Sequence, residues 1–498
     1  MDSRGRHRAG WIWALLLSSS VLYFFTINEA DNDLWGHIRF GRDILASHAV
    51  PHVDAYAYTT TGQAWMNHEW LSQVLLAAVY DVARNPGLLL LKLAIAATTC
   101  GLLFAVVRRR SDSPHVRGAV GLLTIAVLSR GFAMRPQIVT YLCLALTLWL
   151  LDRVQTGRRR ALWGVPVLFL LWANLHGGFA LGLAVLGWFA AAQLLAVRRT
   201  WTPWIALALS VLATVITPFG PRLLLYIWHE LSRAHPITEW QAAQPSDVAQ
   251  LVFFAMLGLV AVTLPLARGW RTRGWEVVLA LGVGVMAVRH QRHTPVFALC
   301  ASAPLTAQLD AAWRWATQRS ALALGAGAQR VLAAALVVVA LLQLGLTSMR
   351  WHRDGLQIVF DPREYPVAAV HAMQRAGLRA NLAVPLDWGE YVLWFLAPAV
   401  KVSLDGRFAT LFPESVVADN FDFFAGAARW QRLLDDYPTD AALVPLEAGC
   451  PIGTLPGWKL VYQDATARLY VREGSAAWSS GQRLIGLRPE MPRRDVFP

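Results

Sequence analysis

Eleven apolar runs separated by short polar segments fill the first 349 residues: roughly 11–27, 86–107, 116–131, 136–152, 161–175, 178–197, 201–217, 248–267, 275–289, 294–310 and 330–349. A helix needs ~20 apolar residues to cross a hydrocarbon layer ~30 Å thick, so such runs predict transmembrane helices. Those nearer to about fifteen residues must be extended locally or shielded by neighbours. The segment 70–83 (WLSQVLLAAVYDVA) is apolar but short and interrupted, and it predicts a helix lying on the membrane surface. The amphipathic stretch Leu223–Leu231, inside the polar segment Pro218–Asp247, reads the same way. From about residue 350 the pattern becomes that of a soluble domain. Tyr365–Gly377, Gly389–Leu396, Pro413–Ala428 and Trp430–Tyr437 predict helices. Asn381–Leu386, Val400–Leu404 and Ala441–Pro445 predict strands, and Trp458–Gln463 with Ala467–Arg472 predicts a hairpin turning at Asp464-Ala465-Thr466. Strands alternating with helices imply a small α/β layer domain.

The pattern therefore predicts an α-helical polytopic membrane protein of about eleven transmembrane helices with a C-terminal extracytoplasmic α/β domain. Residues 1–349 form the multi-span part, including a first outer loop at 28–85. Residues 350–475 form the soluble domain, and 476–498 a basic, loose tail. Composition agrees with the class: 56% hydrophobic residues, 15% charged and a mean hydropathy of +0.40. The net charge of +13 is carried by the membrane half, since residues 350–498 hold 16 Lys/Arg against 17 Asp/Glu. It reads as a topology signal rather than as nucleic-acid binding. With the N-terminus inside, inner segments carry nineteen arginines and outer ones nine. The bias places the N-terminus in the cytoplasm and both the loop 28–85 and the C-terminal domain outside, as in a multi-pass protein of a bacterial inner membrane. Residues 11–27 follow a basic RGRHR but lack a small-residue cleavage pattern, and they read as an uncleaved first helix. Cys100, Cys143, Cys300 and Cys450 show no metal-binding or disulfide spacing.

The candidate chemistry concentrates in Asn28–Leu71, NEADNDLWGHIRFGRDILASHAVPHVDAYAYTTTGQAWMNHEWL. It holds six carboxylates and four histidines among Trp35, Trp65 and Trp70. Carboxylates held at a membrane surface lose solvation, so such a cluster points to chemistry or metal binding unless it is simply a long wet loop. Asp33 is either a general base or the N-cap of a helix beginning near Leu34, and Asp31 is the next candidate base. Glu69 and His68 either complete the site or open the helix at 70–83. His37 is a further cavity candidate, and Asp54 is either that or a turn residue. On the same predicted side, Arg289, His290, Arg292 and His293 gather cations against the inside bias. They suit a phosphate, or else lipid headgroups. His176-Gly177-Gly178 reads as a tight turn that either does or does not line a cavity. In the soluble domain Asp387, Asp405 and Arg407 follow two neighbouring strands, where α/β sheets place ligand sites. They are candidates for acceptor recognition, or Asp405 and Arg407 pair to shape a turn.

A first helix followed at once by an outer loop with paired acids, then many spans and an outer domain, resembles the C-type integral-membrane glycosyltransferases. That class includes protein O-mannosyltransferases, lipid A aminoarabinose transferases and oligosaccharyltransferases. More narrowly, DNDLWGHIRFGRDIL, PHVDAYAYT, WMNHEWL, Asp387–Tyr391 (DWGEY) and Lys401–Arg407 (KVSLDGR) resemble bacterial membrane proteins of that superfamily. The resemblance implies transfer of a sugar from a polyprenyl-phosphate-linked donor to an extracytoplasmic acceptor. It also implies that Asp31 and Asp33 could hold a divalent cation, Mg or Mn. The competing readings are a transporter or flippase for lipid-linked glycans and a non-catalytic envelope assembly protein. A transporter would bury charges within its spans, whereas Lys92 is nearly the only one here.

Overall fold

A computed structural model describes residues 3–195, 200–230, 238–267, 270–318, 325–489 and 496–498. In chain order the helices of the first part are α1 (Ser3–Phe25), α2 (Leu34–Ser47), α3 (Trp70–Val107), α4 (Pro114–Ser129), α5 (Gln137–Gln155), α6 (Gly164–Leu175), α7 (Phe179–Leu195), α8 (Thr202–Thr214), α9 (Arg222–Glu230), α10 (Leu251–Val262), α11 (Trp270–Arg289), α12 (Thr294–Gln318) and α13 (Ala326–Asp354). Each of the eleven apolar runs overlaps one of these helices. Among the described residues, Gly5–Phe25, Trp70–Val107, Gln137–Gln155 and Gly327–Asp354 are long and apolar enough to cross a membrane, while Phe179–Leu194, Thr202–Thr214 and Leu251–Val262 are apolar but shorter. The surface helix expected at 70–83 and the span expected from 86 form one α3, but its backbone leaves helical geometry at Arg84 (φ 51°, ψ −150°), just before Pro86. Proline removes a helical N–H and restricts the residue before it, which accounts for a break at this point. The arginines Arg198, Arg199, Arg233, Arg268 and Arg319, used in the topology count, lie outside the described residues.

The chain packs as two compact units. One comprises Met1–Asn28, Pro86–Ile227 and Arg233–Leu356; the other comprises Glu29–Asn85, Trp228–Ser232 and Gln357–Pro498. Chain order assigns residues 28–85 to the membrane half, whereas packing groups Glu29–Asn85 with the C-terminal domain. In the helical unit α1 packs on α4 and α13, α12 on α4 and α11, and α6 on α8. The buried Lys92 ammonium donates to the Ile27 carbonyl at 2.7 Å, just past the C-terminal end of α1. That end carries unpaired carbonyls and partial negative charge, so it satisfies a cation that would otherwise be costly. Several of the inner arginines are ion-paired. Asp152 at the end of α5 meets Arg110 (2.9 Å), Arg273 (3.3 Å) and Arg109, and Arg110 also reaches Glu276 at 2.8 Å.

The second unit is built on a five-stranded sheet of β1 (Ala380–Ala383), β2 (Val400–Val402), β3 (Ala441–Pro445), β4 (Trp458–Gln463) and β5 (Ala467–Arg472), in the order β2-β1-β3-β5-β4. β1 is parallel to β2 and β3; β5 is antiparallel to β3 and β4. α14 (Val367–Arg375), α15 (Leu386–Leu396), α16 (Glu414–Ala425), α17 (Arg432–Asp435) and α18 (Trp478–Gln482) complete it. The hairpin and β3 fall on the residues expected, and each other expected strand and helix is present with shifted ends, α15 starting three residues earlier than expected. The first loop joins this sheet. Tyr58 N–H donates to Val402 O and Val402 N–H to Tyr56 O, both at 3.1 Å, so residues 56–58 cover the open edge of β2. Trp35 is fully buried among Phe360, Tyr365, Tyr391 and Phe497. The tail expected to be loose is held by α18 and by Phe497, which is 1% exposed and packs also on Tyr80 and Trp394. Its residues 490–495 lie outside the described residues.

Candidate active site

The acidic stretch Asp31–Asp33 leads straight into α2. Asp33 occupies the N-cap position, yet its side chain makes no capping hydrogen bond. Its carboxylate is turned instead toward Gly406 and Glu390. A Cβ built on Gly406 would overlap Asp33 Oδ1 and lie 2.7 Å from Glu390 Oε1, so the two oxygens share the space that the missing side chain leaves. Gly36 serves the same end from α2. Any side chain there would overlap the Glu390 carboxyl, and the bare backbone N–H donates to Glu390 Oε2 at 2.9 Å. Glu390 is 2% exposed. Burial, then the neighbouring Asp33 and Asp405, pushes its carboxyl well above the ordinary range.

Asp31 holds the turn, its Oδ1 accepting from the Asp33 N–H at 3.0 Å. Asn32 joins the loop to the soluble part. Its amide donates to Asp387 Oδ1 at 3.2 Å, and its Oδ1 accepts from the Tyr365 hydroxyl. Burial and the surrounding Asp31, Glu364, Asp387 and Asp33 push the Tyr365 phenol upward, so it stays a neutral donor. Asp387 is exposed at the start of α15, at the rim of this group.

Asp405, Arg407 and Asp54 are not a ligand surface. Arg407 Nε and Nη2 donate to the two Asp405 oxygens at 2.8 and 2.7 Å, and Nη1 reaches Asp54 at 2.5 Å. Its guanidinium carbon lies 4.7 to 5.2 Å from the ring centres of Phe40, Tyr56 and Trp65. Asp54 also accepts from Tyr56 N, Ala57 N and Thr60 Oγ1, the pattern of a turn residue. All three are buried, so they tie the first loop to the loop after β2 and leave nothing for an acceptor to touch. Both carboxylates pull the Arg407 guanidinium upward against its burial.

Glu69 opens α3 and stands between two histidines, 4.0 Å from His37 Nδ1 and 3.7 Å from His68 Nε2. His37 sits one turn into α2, its N–H bonded to the Asp33 carbonyl at 3.0 Å. Glu69 and His68, just before α3, thus form one polar group with His37 of α2, the helix that Asp33 begins. Among the described residues no three His, Cys, Asp or Glu side chains converge as a metal site.

In the helical unit a cavity of about 200 Å³ is lined by Arg130, Gln137, Glu239, Gln250, Gln291 and Arg292, together with Gly131, Tyr141, Thr294 and Pro295. Arg292 lies 4.5 Å over the Trp240 ring, and Gln250 donates to Gln291 at 3.0 Å. Arg135 pairs with Glu239 at 2.8 Å. Of the four residues expected to grip phosphate, Arg292 alone lines this cavity. Arg289 is exposed. His290 Nδ1 is bonded to the Trp240 carbonyl at 2.7 Å. Burial, Arg292 and His290 lower His293 to about 4, so it carries no charge near neutral pH. His176 organises a turn: its Nδ1 accepts from Gly178 N–H at 2.9 Å and lies 2.8 Å from the Thr140 hydroxyl. It is not among the residues lining the cavity.

No family model and no curated protein matches the chain. Solved structures do. ArnT from Cupriavidus metallidurans in the apo state superposes with a TM-score of 0.53 at 13% identity, over 96% of this chain and 99% of that one. The crystal structure of the same protein bound to undecaprenyl phosphate gives 0.51 at 13% identity, with the same coverage. The fold is that of ArnT. The likeness extends over nearly the whole chain, acidic loop, apolar helices and C-terminal domain included. At 13% identity the shared feature is the ArnT fold, and the residues above are read from this chain's own geometry.

Sequence reasoning missed Glu390, Asn32, Tyr365 and Arg130. Glu390 lies inside the DWGEY motif, where a carboxylate between glycine and an apolar helix face was the available signal. Asn32 stands between the two acids that drew attention. Arg130 reads as one more outer arginine until folding brings it beside Arg292.

Proposed function

We propose that this chain is a membrane glycosyltransferase that moves a sugar from a polyprenyl-phosphate-linked donor to an acceptor on the extracytoplasmic side. The observation that carries the reading is Asp33, a carboxylate at a helix start that does not cap the helix and is held against a second carboxyl. The ArnT fold supports it, as does the ArnT structure that holds undecaprenyl phosphate.

The chemistry follows from the groups present. An acceptor hydroxyl is a weak nucleophile, and Asp33 takes its proton as the oxygen attacks the anomeric carbon. The carbon–oxygen bond to the donor phosphate breaks, and the polyprenyl phosphate leaves with the electron pair. Within the helical unit, Arg292 and Arg130 in its cavity suit a phosphate, because guanidinium groups bind one through parallel hydrogen bonds. The side-chain amides of Gln137, Gln250 and Gln291 suit sugar hydroxyls. Asp387 and Asn32 form a polar rim suited to the acceptor. No step is routed through a divalent cation, and a chelator in the assay tests for one. In this reading the protein is a multi-pass protein of a bacterial inner membrane, with its N-terminus cytoplasmic and its C-terminal domain outside.

The test is a deletion strain. Mass spectrometry of its lipids should show a sugar-bearing polyprenyl phosphate accumulating, and the parent gene should clear it. Asp33→Asn keeps size and capping ability but takes up no proton at this pH. It should melt like the parent yet lose ~10²–10⁴-fold in the rate of polyprenyl phosphate release from the accumulated lipid. A strain that accumulates no such lipid, or a fully active Asp33→Asn, refutes the reading.

A further inference from the structure

We propose that Gln250 separates loaded from spent lipid: its side-chain carbonyl accepts a hydrogen bond from an O–H or N–H of the donor's sugar, a group that polyprenyl phosphate lacks. The inference rests on the cavity of the helical unit being the site of the donor phosphate.

Gln250 stands at the N-cap position of α10, yet its side chain makes no capping hydrogen bond. Its backbone N–H donates to the Asp247 carbonyl at 2.8 Å, and the residue is 3% exposed. The side chain instead lines the cavity of about 200 Å³. Its amide nitrogen donates to Gln291 Oε1 at 3.0 Å, which turns the carbonyl oxygen the other way. That oxygen is buried and meets no donor among the described residues. Gln291 is held in turn. Its N–H donates to the Gln241 carbonyl at 2.9 Å, and its neighbours His290 and Arg292 are both fixed on Trp240. One is bonded to the Trp240 carbonyl at 2.7 Å, and the other lies 4.5 Å from the centre of its ring. Two other polar side chains of the lining are engaged: Gln137 Nε2 donates to the Gly131 carbonyl at 3.2 Å, and Glu239 accepts from Arg135 at 2.8 Å.

A buried carbonyl without a donor is costly, so a glutamine in this position calls for a partner from whatever fills the cavity. Arg292 and Arg130 on the same lining call for an anion. One occupant answers both demands: an anion that carries its own O–H or N–H. The lipid's phosphate is not the source of that group. A phosphodiester has no O–H, and a phosphate monoester loses its last one at about pH 6. The hydroxyls of the sugar, or an amide N–H on it, supply the hydrogen. Once transfer is complete the sugar is gone, and the polyprenyl phosphate leaves the Gln250 carbonyl without its partner. The same residue thus raises affinity for the loaded donor and favours release of the spent lipid. A site built to pair with a polar group discriminates against a ligand that lacks it.

The experiment is lipid binding to the full chain in detergent at about pH 8, where a monoester has lost its last O–H. Two probes are compared: undecaprenyl phosphate, and the sugar-bearing polyprenyl phosphate purified from the deletion strain. Gln250→Met keeps the length of the side chain and removes both polar atoms. It should weaken binding of the sugar-bearing lipid by about tenfold and leave that of undecaprenyl phosphate unchanged. If Gln250→Met does not fold, Gln250→Asn, which draws the carbonyl back by one methylene, should show the same selective loss. Equal losses for the two lipids mark a structural role, and no loss for either means that the sugar does not pair with Gln250; both results overturn the proposal. Loss of both affinities in Arg292→Ala, beside unchanged affinities in Gln250→Met, overturns the role of Gln250 alone. If Arg292→Ala changes neither affinity, the phosphate reading of the cavity falls and this inference with it. A deletion strain that accumulates no such lipid overturns the transfer reading and removes the sugar that Gln250 would bind.

Discussion

Replacing Arg407 by Met distinguishes a scaffold from a binding site in one variant. The guanidinium is 5% exposed and is shared by two carboxylates that are themselves buried, Asp54 at 3% and Asp405 at 0%. Its side chain makes two hydrogen bonds to Asp405 and one to Asp54, at 2.5 to 2.8 Å. Methionine fills much of the volume and keeps contact with the Phe40, Tyr56 and Trp65 rings, so the change is mainly one of charge. Removing one member of a buried ion pair leaves the other desolvated and uncompensated, at a cost of about 3–5 kcal/mol. Here two carboxylates are left, which places the loss at the upper end of that range. For a unit of this size that corresponds to a fall in melting temperature on the order of 10 °C. The assay is thermal unfolding of the full chain in detergent, followed by tryptophan fluorescence. Arg407→Lys keeps the charge without the planar fork and should fall between parent and Met. Adding Asp405→Asn to the Met variant should recover part of the loss. A Met variant that melts with the parent but fails in sugar transfer would refute the scaffold reading and return Arg407 to a binding surface.

Three further outcomes are expected. Arg292→Ala should weaken binding of undecaprenyl phosphate to the full chain by about tenfold or more, read by titration in detergent, with an unchanged melt; unaltered affinity removes Arg292 from the phosphate site. Glu390 contributes a pH dependence of known sign: unfolded glutamate ionises near about 4.3 whereas the folded group holds its proton to higher pH, so stability falls as pH rises from there to the folded value. The melting temperature of Glu390→Gln relative to the parent should therefore be higher near pH 8 than near pH 4; a constant difference refutes it. Reporter fusions at Gly157 should report the cytoplasm and those at Gly62 and Gly377 the outer side; a cytoplasmic signal at Gly377 would invert the proposed topology.

Much of this protein is determined locally, and the sequence alone shows it. Apolar runs are helical because a backbone surrounded by apolar groups must satisfy its own hydrogen bonds, and each of the eleven overlaps a helix. Turn residues and alternation placed the hairpin of β4 and β5 to the residue. The acid-rich loop stood out because charge is scarce around it. The roles of individual acids were not legible, because they depend on which distant residue fills the neighbouring space. Asp33 has the local chemistry of an N-cap, and only Glu390, more than three hundred positions away, turns it from that task. Asp54 and Asp405 look like any other loop acids until Arg407 neutralises both in a buried pair. His293 reads as a cation by type, and burial beside Arg292 makes it neutral. The first loop reads as part of the membrane half because it follows the first span, yet its residues 56–58 extend the sheet at β2. Period and composition act over a few residues, whereas desolvation and ion pairing depend on whatever side chains the tertiary fold brings within a few ångströms.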